Sequence, residues 1–220
     1  FDKGTNGVTV TLFIGAGFST KERLRFYEES KWFGRGKEEH ATWLYSTGDG
    51  TVPENSADLQ DDDSNFAGSI NRYYVRAEHS ELPLNSNVQQ QIINVLAGKF
   101  DPVNSNISKT DIWPLEAKWI QVNSPVELHI YDALGNHLGP APDGIMEYGI
   151  PNAQYDVLGH DKTAALPEGI LYTVVLSGTD TGDFDLRLMD VVSDSVVSTA
   201  LFKDLPVMTG TLATVVFDPA

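Results

Sequence analysis

An aspartate between two glycines and a histidine further along the chain are the residues best suited to chemistry. Asp49 lies in residues 45–53, which read YSTGDGTVP, and His79 follows it by 30 residues. Glycines on both sides of the aspartate permit a tight backbone turn that presents the carboxylate on a loop. A carboxylate that orients an imidazole yields a base able to take the proton of a nucleophile in acyl transfer.

One strand is predicted before this loop and another after it. An apolar run at residues 8–14 ends in Gly15, and an apolar run bounded by glycines is typical of a buried strand. Residues 23–45 contain alternating segments around two glycines, which favours a hairpin or an irregular excursion. Residues 72–76 form the second predicted strand, so His79 lies on the loop that follows it.

A helix is predicted over residues 86–97. Its apolar residues recur at i, i+4, i+7 and i+8 and form one stripe. They are Val88, Ile92, Val95 and Leu96. Asn85 or Asn87 can cap the start of the helix, and Gly98 stands where a glycine commonly follows its end.

The segment GDGTV at residues 48–52 resembles the acid loop of α/β-hydrolase lipases related to the lecithin:cholesterol acyltransferases. In that family a strand with a glycine-rich turn, an excursion, this loop, a second strand, the catalytic histidine and a last helix follow one another. The present chain has these parts in that order between Val8 and Gly98. The resemblance implies that Asp49 is the acid and His79 the base of a catalytic triad, in the chain order of that fold.

The serine nucleophile of such a triad is missing from the sequence. The pattern Gly-x-Ser-x-Gly occurs nowhere in the 220 residues. The resemblance therefore implies that this chain is the carboxyl-terminal part of an esterase or lipase and is inactive alone. The parent protein would cleave carboxylic or lipid esters through an acyl-enzyme and would bind its substrate with the missing amino-terminal part. That chemistry requires no metal and no organic cofactor.

The second half of the chain has the pattern of an antiparallel β-sandwich. Seven strand-like runs follow residue 113, several of them separated by turn signals, and no helix is predicted there. They are residues 117–122, 126–132, 144–150, 170–177, 184–189, 196–202 and 211–217. The segments SPVELHIYD at residues 124–132 and GDFDL at residues 182–186 resemble β-sandwich modules appended to secreted bacterial hydrolases.

The predicted fold class is therefore α+β and predominantly β. We expect the end of an α/β-hydrolase domain at residues 1–99, a linker at residues 100–110 and a β-sandwich module at residues 111–220. The hydrolase segment comprises only the last strands of a larger sheet, and an unpaired strand edge favours association. We expect the chain to cover that edge by dimerising, by exchanging a strand or by packing on its own sandwich.

Composition excludes some classes of function and leaves others open. The net charge is −16, whereas nucleic-acid-binding proteins usually carry a basic patch, so no nucleic-acid partner is expected. No run of about 18 apolar residues is present, so no membrane span is predicted. Cysteine is absent, and the first residue is Phe1, which suggests a trimmed amino end. A secreted or extracytoplasmic bacterial protein fits the resemblance.

Two further functions remain open from sequence. A non-catalytic binding or adhesion module would use the hydrolase-like half only as a scaffold. A calcium-dependent or carbohydrate-binding protein would use aspartates near residues 61–63 and 180–185, with exposed aromatic rings stacking on sugars. Solvated loops and a filled core explain these residues better. His40, His129, His137 and His160 show no ligand spacing and are expected to be structural or exposed.

Overall fold

A computed structural model describes residues 9–30, 37–59 and 70–217. The chain divides into two compact units. The first unit comprises Phe1–Glu22 and Tyr45–Leu115, and the second, which we call the sandwich unit, comprises Arg23–Leu44 and Glu116–Ala220. The predicted β-rich class is confirmed, since fourteen strands, two helices and one 3-10 turn make up the described residues.

The strands are β1 (Val10–Gly15), β2 (Phe18–Ser30), β3 (Lys37–Gly48), β4 (Ile70–Val75), β5 (Ala117–Asn123), β6 (Val126–Asp132), β7 (His137–Pro140), β8 (Met146–Tyr148), β9 (Gln154–Leu158), β10 (Asp161–Pro167), β11 (Tyr172–Gly178), β12 (Gly182–Val192), β13 (Ser195–Val207) and β14 (Leu212–Phe217). The helices are α1 (Glu54–Ala57) and α2 (Ser86–Leu96), with the 3-10 turn at Leu82–Leu84. Among the described residues, no helix is long and apolar enough to cross a membrane.

The first unit is built on a parallel pair of strands. β1 and β4 run side by side in a register that begins at Val10 and Ile70 and ends at Gly15 and Val75. Because the strands are parallel, the loops that follow both of them leave the same edge of the sheet. Both strands had been predicted, over residues 8–14 and 72–76, and both are confirmed within the described residues.

Helix α2 packs on β4 through one apolar contact surface. Val88 is buried with Tyr73, Val75 and Ile107 in a single cluster. The Asn85 side chain accepts hydrogen bonds from the amides of Asn87 and Val88, at 3.0 and 3.4 Å. The predicted amino-terminal cap is therefore confirmed.

The predicted apolar stripe of α2 is wrong for two of its members. Ile92 is 41% exposed and Leu96 is 84% exposed, whereas the buried residues of the helix are Val88 and Gln91. The Gln91 side chain accepts from the amide of Val103 at 2.7 Å and donates to the carbonyl of Asp101 at 3.1 Å. A polar side chain thus takes an inward position because the following segment satisfies its hydrogen bonds.

Residues 100–110, expected to be a linker, lie against β4. Ser108 exchanges two backbone hydrogen bonds with Tyr74, at 2.8 and 3.0 Å, and Ile107 is buried. The Tyr73 hydroxyl donates to the carbonyl of Phe100 at 2.8 Å. These contacts place the segment in the first unit.

The sandwich unit consists of two antiparallel five-stranded sheets that share one core. The strand orders are β13-β12-β5-β10-β9 and β14-β11-β6-β7-β8. Ile120 and Val122 of β5 lie in the same buried cluster as Leu128 and Ile130 of β6, so the inner faces of both sheets form the core. In β12, Phe184, Leu186 and Leu188 are buried in this core, whereas Asp185 and Arg187 between them are only partly buried.

Three strands of the sandwich and the length of a fourth were missed. β7, β9 and β10 lie outside the predicted runs, and β8 is only three residues long where residues 144–150 were expected. The buried positions of β10 include Asp161 and Thr163 beside small alanines, so its sequence lacks the apolar alternation that identifies a strand.

The predicted excursion contains a pair of long strands. β2 and β3 form a two-stranded sheet, and their connection at residues 31–36 lies outside the described residues. Their outer segments, within Arg23–Leu44, belong to the sandwich unit.

Candidate active site

The loop after β3 is shaped by the Asp49 side chain. Its Oδ1 accepts hydrogen bonds from the backbone amides of Thr51 and Val52, at 2.9 and 2.6 Å. An aspartate that accepts from amides two and three residues ahead folds the backbone into a tight local turn. Gly50 has φ of +84°, a left-handed conformation in which glycine is favoured, and its amide donates to Thr20 Oγ1 at 2.9 Å.

Gly15, the last residue of β1, leaves room for this loop only because it has no Cβ atom. A Cβ atom on Gly15 would lie 2.4 Å from the Cβ of Asp49 and 2.8 Å from the carbonyl oxygen of Ala77. Gly15 therefore allows the acid loop and the chain after β4 to approach the end of the parallel pair together. This steric role was not predicted, because it depends on a contact between residues distant in sequence.

The structure brings Asp49 and His79 into direct contact. His79 Nδ1 lies 2.8 Å from Asp49 Oδ2, and the backbone amide of His79 donates to the Asp49 carbonyl oxygen at 2.9 Å. The Asp49 side chain is 5% exposed and the His79 side chain is 54% exposed. A buried carboxylate thus holds an imidazole side chain that is more than half exposed to solvent.

This arrangement supports one kind of chemistry. An Nδ1–H that donates to a carboxylate fixes the neutral tautomer in which Nε2 carries the lone pair. Nε2 can then accept a proton from a nucleophile and return it to a leaving group, while the carboxylate stabilises the imidazolium. The dyad needs a nucleophile beside Nε2 to carry out acyl transfer.

The other candidate residues do not assemble into a comparable centre. Asp61, Asp62 and Asp63 lie outside the described residues. Asp180 accepts from the amide of Thr181 at 2.7 Å and Asp185 accepts from the amide of Asp204 at 2.7 Å, both ordinary turn or strand contacts. Within the described residues, no group of three or more His, Asp or Glu side chains could hold a metal ion.

Two histidine contacts in the sandwich unit were not predicted. Buried His40 places Nδ1 2.8 Å from Asp161 Oδ1, and His129 Nδ1 lies 3.2 Å from His137 Nε2. Burial and the nearby charge of His137 lower the pKa of His129, against an opposing effect of Glu127. The turn signal at residues 133–136 could have indicated that His129 and His137 meet across a hairpin.

Comparisons with known proteins identify no family for this chain. No protein-family model and no curated protein sequence matches it. A crystal structure of a domain of unknown function, DUF4425, from Bacteroides vulgatus is similar to 46% of this chain and 93% of its own length. The sequence identity is 10% and the TM-score is 0.27.

Proposed function

We propose that this chain supplies the acid and the base of a serine carboxylic-ester hydrolase, with Asp49 orienting His79. The observation that carries the proposal is the 2.8 Å contact from His79 Nδ1 to buried Asp49 Oδ2, in a histidine whose side chain is 54% exposed. A triad histidine needs both of these features at once. His79 would act as general base toward a serine and then as general acid toward the leaving alcohol.

The proposal assigns the nucleophile to polypeptide outside these 220 residues. The sequence has no Gly-x-Ser-x-Gly elbow, and among the described residues no strand pairs with the second edge of β1. On α2, Ile93 is 58% exposed and Leu96 is 84% exposed, which is a large apolar area for one short helix. An unpaired parallel strand and uncovered apolar side chains suit a surface that further strands and helices would cover.

The decisive experiment measures hydrolysis by the full-length protein that the proposal requires, in which a serine nucleophile accompanies these 220 residues. Short- and long-chain nitrophenyl esters serve as substrates for the wild type, Asp49→Asn and His79→Ala. Each substitution should lower kcat by about 10³-fold or more, because triad members act as one unit. His160→Ala, a change at an exposed histidine of the sandwich unit, is the matched control and should keep the wild-type rate.

A fluorophosphonate probe that labels activated serines gives an independent reading. The full-length protein should be labelled, and Asp49→Asn and His79→Ala should both slow labelling. The 220-residue chain alone should remain unlabelled. Equal rates in all variants would refute the assignment of the dyad, whatever esterase activity the protein has.

A second candidate, a non-catalytic binding module, is favoured by one feature of the sandwich unit. The edge strand β13 exposes apolar side chains, with Val197 60% and Phe202 45% exposed. Exposed apolar patches on an edge strand commonly mark contact surfaces. Full activity after substitution of β13 residues, combined with loss of activity in Asp49→Asn, would separate the two functions.

A further inference from the structure

A pair of histidines lies on the outer face of the sandwich unit, across strands β6 and β7. The register places Tyr131 opposite His137, and Gly139 of β7 opposite Glu147 of β8. His129 stands two residues before Tyr131 on β6, so it lies on the same face of the sheet. Antiparallel pairing thus gathers both imidazoles and Glu147 within a small area.

The facing nitrogens of the two rings are spaced like two ligands of one metal ion. His129 Nδ1 and His137 Nε2 are 3.2 Å apart. With metal–nitrogen bonds of about 2.0–2.1 Å, two ligands are separated by roughly 2.9 Å at a right angle and roughly 3.3 Å at a tetrahedral angle. The observed separation falls between these values.

The outer nitrogens of both rings face carboxylates. His137 Nδ1 lies 2.5 Å from Glu147 Oε2, and His129 Nε2 lies 3.8 Å from Glu127 Oε2. A histidine that binds a metal commonly donates its other N–H to a carboxylate, which fixes the tautomer and makes the ligating nitrogen more basic. Here both rings have an acidic partner on the side away from the shared nitrogens.

The surrounding residues hold the rings in place before any ion binds. A Cβ atom on Gly139 would lie 3.2 Å from His137 Nε2 and 2.7 Å from the carbonyl of Leu128, so glycine provides the space beneath the ring. Tyr131 stacks on His137 with ring centroids 4.7 Å apart. The His129 and His137 side chains are only 18% and 13% exposed, and a cleft beside them is lined by Pro140 and Pro142.

We propose that His129 Nδ1 and His137 Nε2 bind one late divalent transition-metal ion. Imidazole nitrogens suit Cu²⁺, Ni²⁺ and Zn²⁺, and for a given site Cu²⁺ binds most tightly of the three. The two histidines are the only protein ligands assigned, since no group of three ligating side chains occurs within the described residues. Water in the adjoining cleft completes the coordination. On binding, the metal replaces the proton on His129 Nδ1, and that proton is transferred through water to Nε2, which faces Glu127.

The test uses the full 220-residue chain without an affinity tag. The chain is titrated with Cu²⁺ in the presence of excess Mg²⁺, because Mg²⁺ occupies the acidic surface. Calorimetry should give one ion per chain, and electron paramagnetic resonance should show coupling to two imidazole nitrogens. His129→Ala and His137→Ala should each weaken binding at least 10-fold and remove the two-nitrogen signal. Glu147→Gln should weaken binding about 10-fold, because it removes the acidic partner of His137.

His160→Ala and His79→Ala are the controls, since both histidines are exposed and lie elsewhere in the chain. Both variants should bind Cu²⁺ as the wild type does. Circular dichroism of each variant confirms that it is folded. Absence of binding to the wild type, or equal affinity in a folded His137→Ala variant, would overturn the proposal.

Discussion

Asp49 and His79 are joined through both their side chains and their backbones. Asp49 Oδ2 meets His79 Nδ1 at 2.8 Å, and the Asp49 carbonyl accepts from the His79 amide at 2.9 Å. The second carboxylate oxygen, Oδ1, serves the acid loop by accepting from the amides of Thr51 and Val52. One side chain therefore shapes its own loop with one oxygen and orients the imidazole with the other.

These two roles predict that substitutions of Asp49 change the free energy of unfolding and the rate of hydrolysis to different extents. Asp49→Asn keeps an oxygen for the Thr51 and Val52 amides, so the free energy of unfolding should change by less than about 1 kcal/mol. Asp49→Ala leaves both amides without that acceptor and should cost about 2–3 kcal/mol. Urea denaturation of the 220-residue chain measures both values.

Activity should respond differently from stability. Under the proposed function, both variants of Asp49 should lose hydrolysis to a similar extent in the full-length protein, because neither holds the imidazole tautomer that a triad requires. If Asp49→Asn is as unstable as Asp49→Ala, the loss of activity would reflect unfolding and the separation of roles would be wrong.

The contact between acid and histidine could be anticipated because it follows from chain order. Asp49 follows β3, which pairs with β2 and not with β1 or β4, so the expectation that Asp49 and His79 meet came from the family resemblance and from the order of the two loops along the chain. The supporting contacts of Gly15 and Thr20 could not be read from sequence. They depend on the distances between backbone segments that are remote along the chain.

The fold was predictable where local sequence and burial agree. In β6 the apolar residues Val126, Leu128 and Ile130 alternate with polar ones, and its predicted bounds are those observed. In β10 the buried position of Asp161, on the face opposite the core residues Ala164 and Leu166, is tolerated because His40 and the amide of Ala41 satisfy its carboxylate. When the hydrogen-bond partner of a buried polar residue is distant in the sequence, the local sequence does not identify the strand.

Gly15→Ala should disturb the acid loop. The added methyl group would meet the Cβ of Asp49 at 2.4 Å and the Ala77 carbonyl at 2.8 Å, so the loop must shift. Overpacking of this kind costs about 2 kcal/mol. Hydrolysis by the full-length protein should also fall at temperatures where circular dichroism shows that the variant is folded.

Gly98→Ala provides the matched control for this substitution. Gly98 has φ of +73° and open space around its Cβ position, so alanine there should cost about 1 kcal/mol through backbone strain alone. Its rate of ester hydrolysis should match the wild type. Normal activity in folded Gly15→Ala would show that the close approach to Asp49 does not position the carboxylate.

The buried contact between His40 of β3 and Asp161 of β10 should matter more to stability than the exposed pair between Lys37 of β3 and Glu28 of β2. His40 and Asp161 have side chains only 4% and 3% exposed, and Asp161 Oδ2 also accepts from the Ala41 amide at 2.8 Å. His40→Ala leaves a buried carboxylate without one of its hydrogen-bond partners and should cost about 3 kcal/mol. Lys37→Ala removes the exposed pair with Glu28 and should cost less than about 1 kcal/mol.

Urea denaturation of the two variants provides this comparison. A double-mutant cycle with Asp161→Asn isolates the coupling energy of the buried pair. Equal losses of stability in His40→Ala and Lys37→Ala would mean that burial of the pair adds nothing to its strength.

The ion pair of Lys118 and Asp190, which links β5 to β12, should make stability fall in acid. Hydrogen bonds from the Ser198 hydroxyl and from Lys118 Nζ, the latter at 2.9 Å, lower the pKa of Asp190 below its ordinary value of 3.8. A group whose pKa is lower in the folded protein stabilises the fold above its ordinary pKa. That contribution disappears as the pH falls through the lowered value.

Lys118 determines the pH above which the same ion pair stops stabilising the fold. Burial alone would lower its pKa, but the hydrogen bond to Asp190 and the charges of Glu168 and Asp190 outweigh burial and raise the pKa above 10.5. Its contribution is therefore complete at neutral pH and is lost only as the pH rises through that raised value. The contribution of this pair is therefore lost in acid through Asp190 and in alkali through Lys118.

The difference in unfolding free energy between the wild type and Asp190→Asn isolates this effect, because the other acidic groups titrate alike in both proteins. The difference should be constant from about pH 5 to pH 9 and should shrink below about pH 4. Asp180→Asn, at an exposed turn, should give a difference near zero throughout. A wild-type advantage over Asp190→Asn that persists undiminished at the acid end would contradict the lowered pKa of Asp190, because a protonated carboxyl cannot keep its ion pair with Lys118.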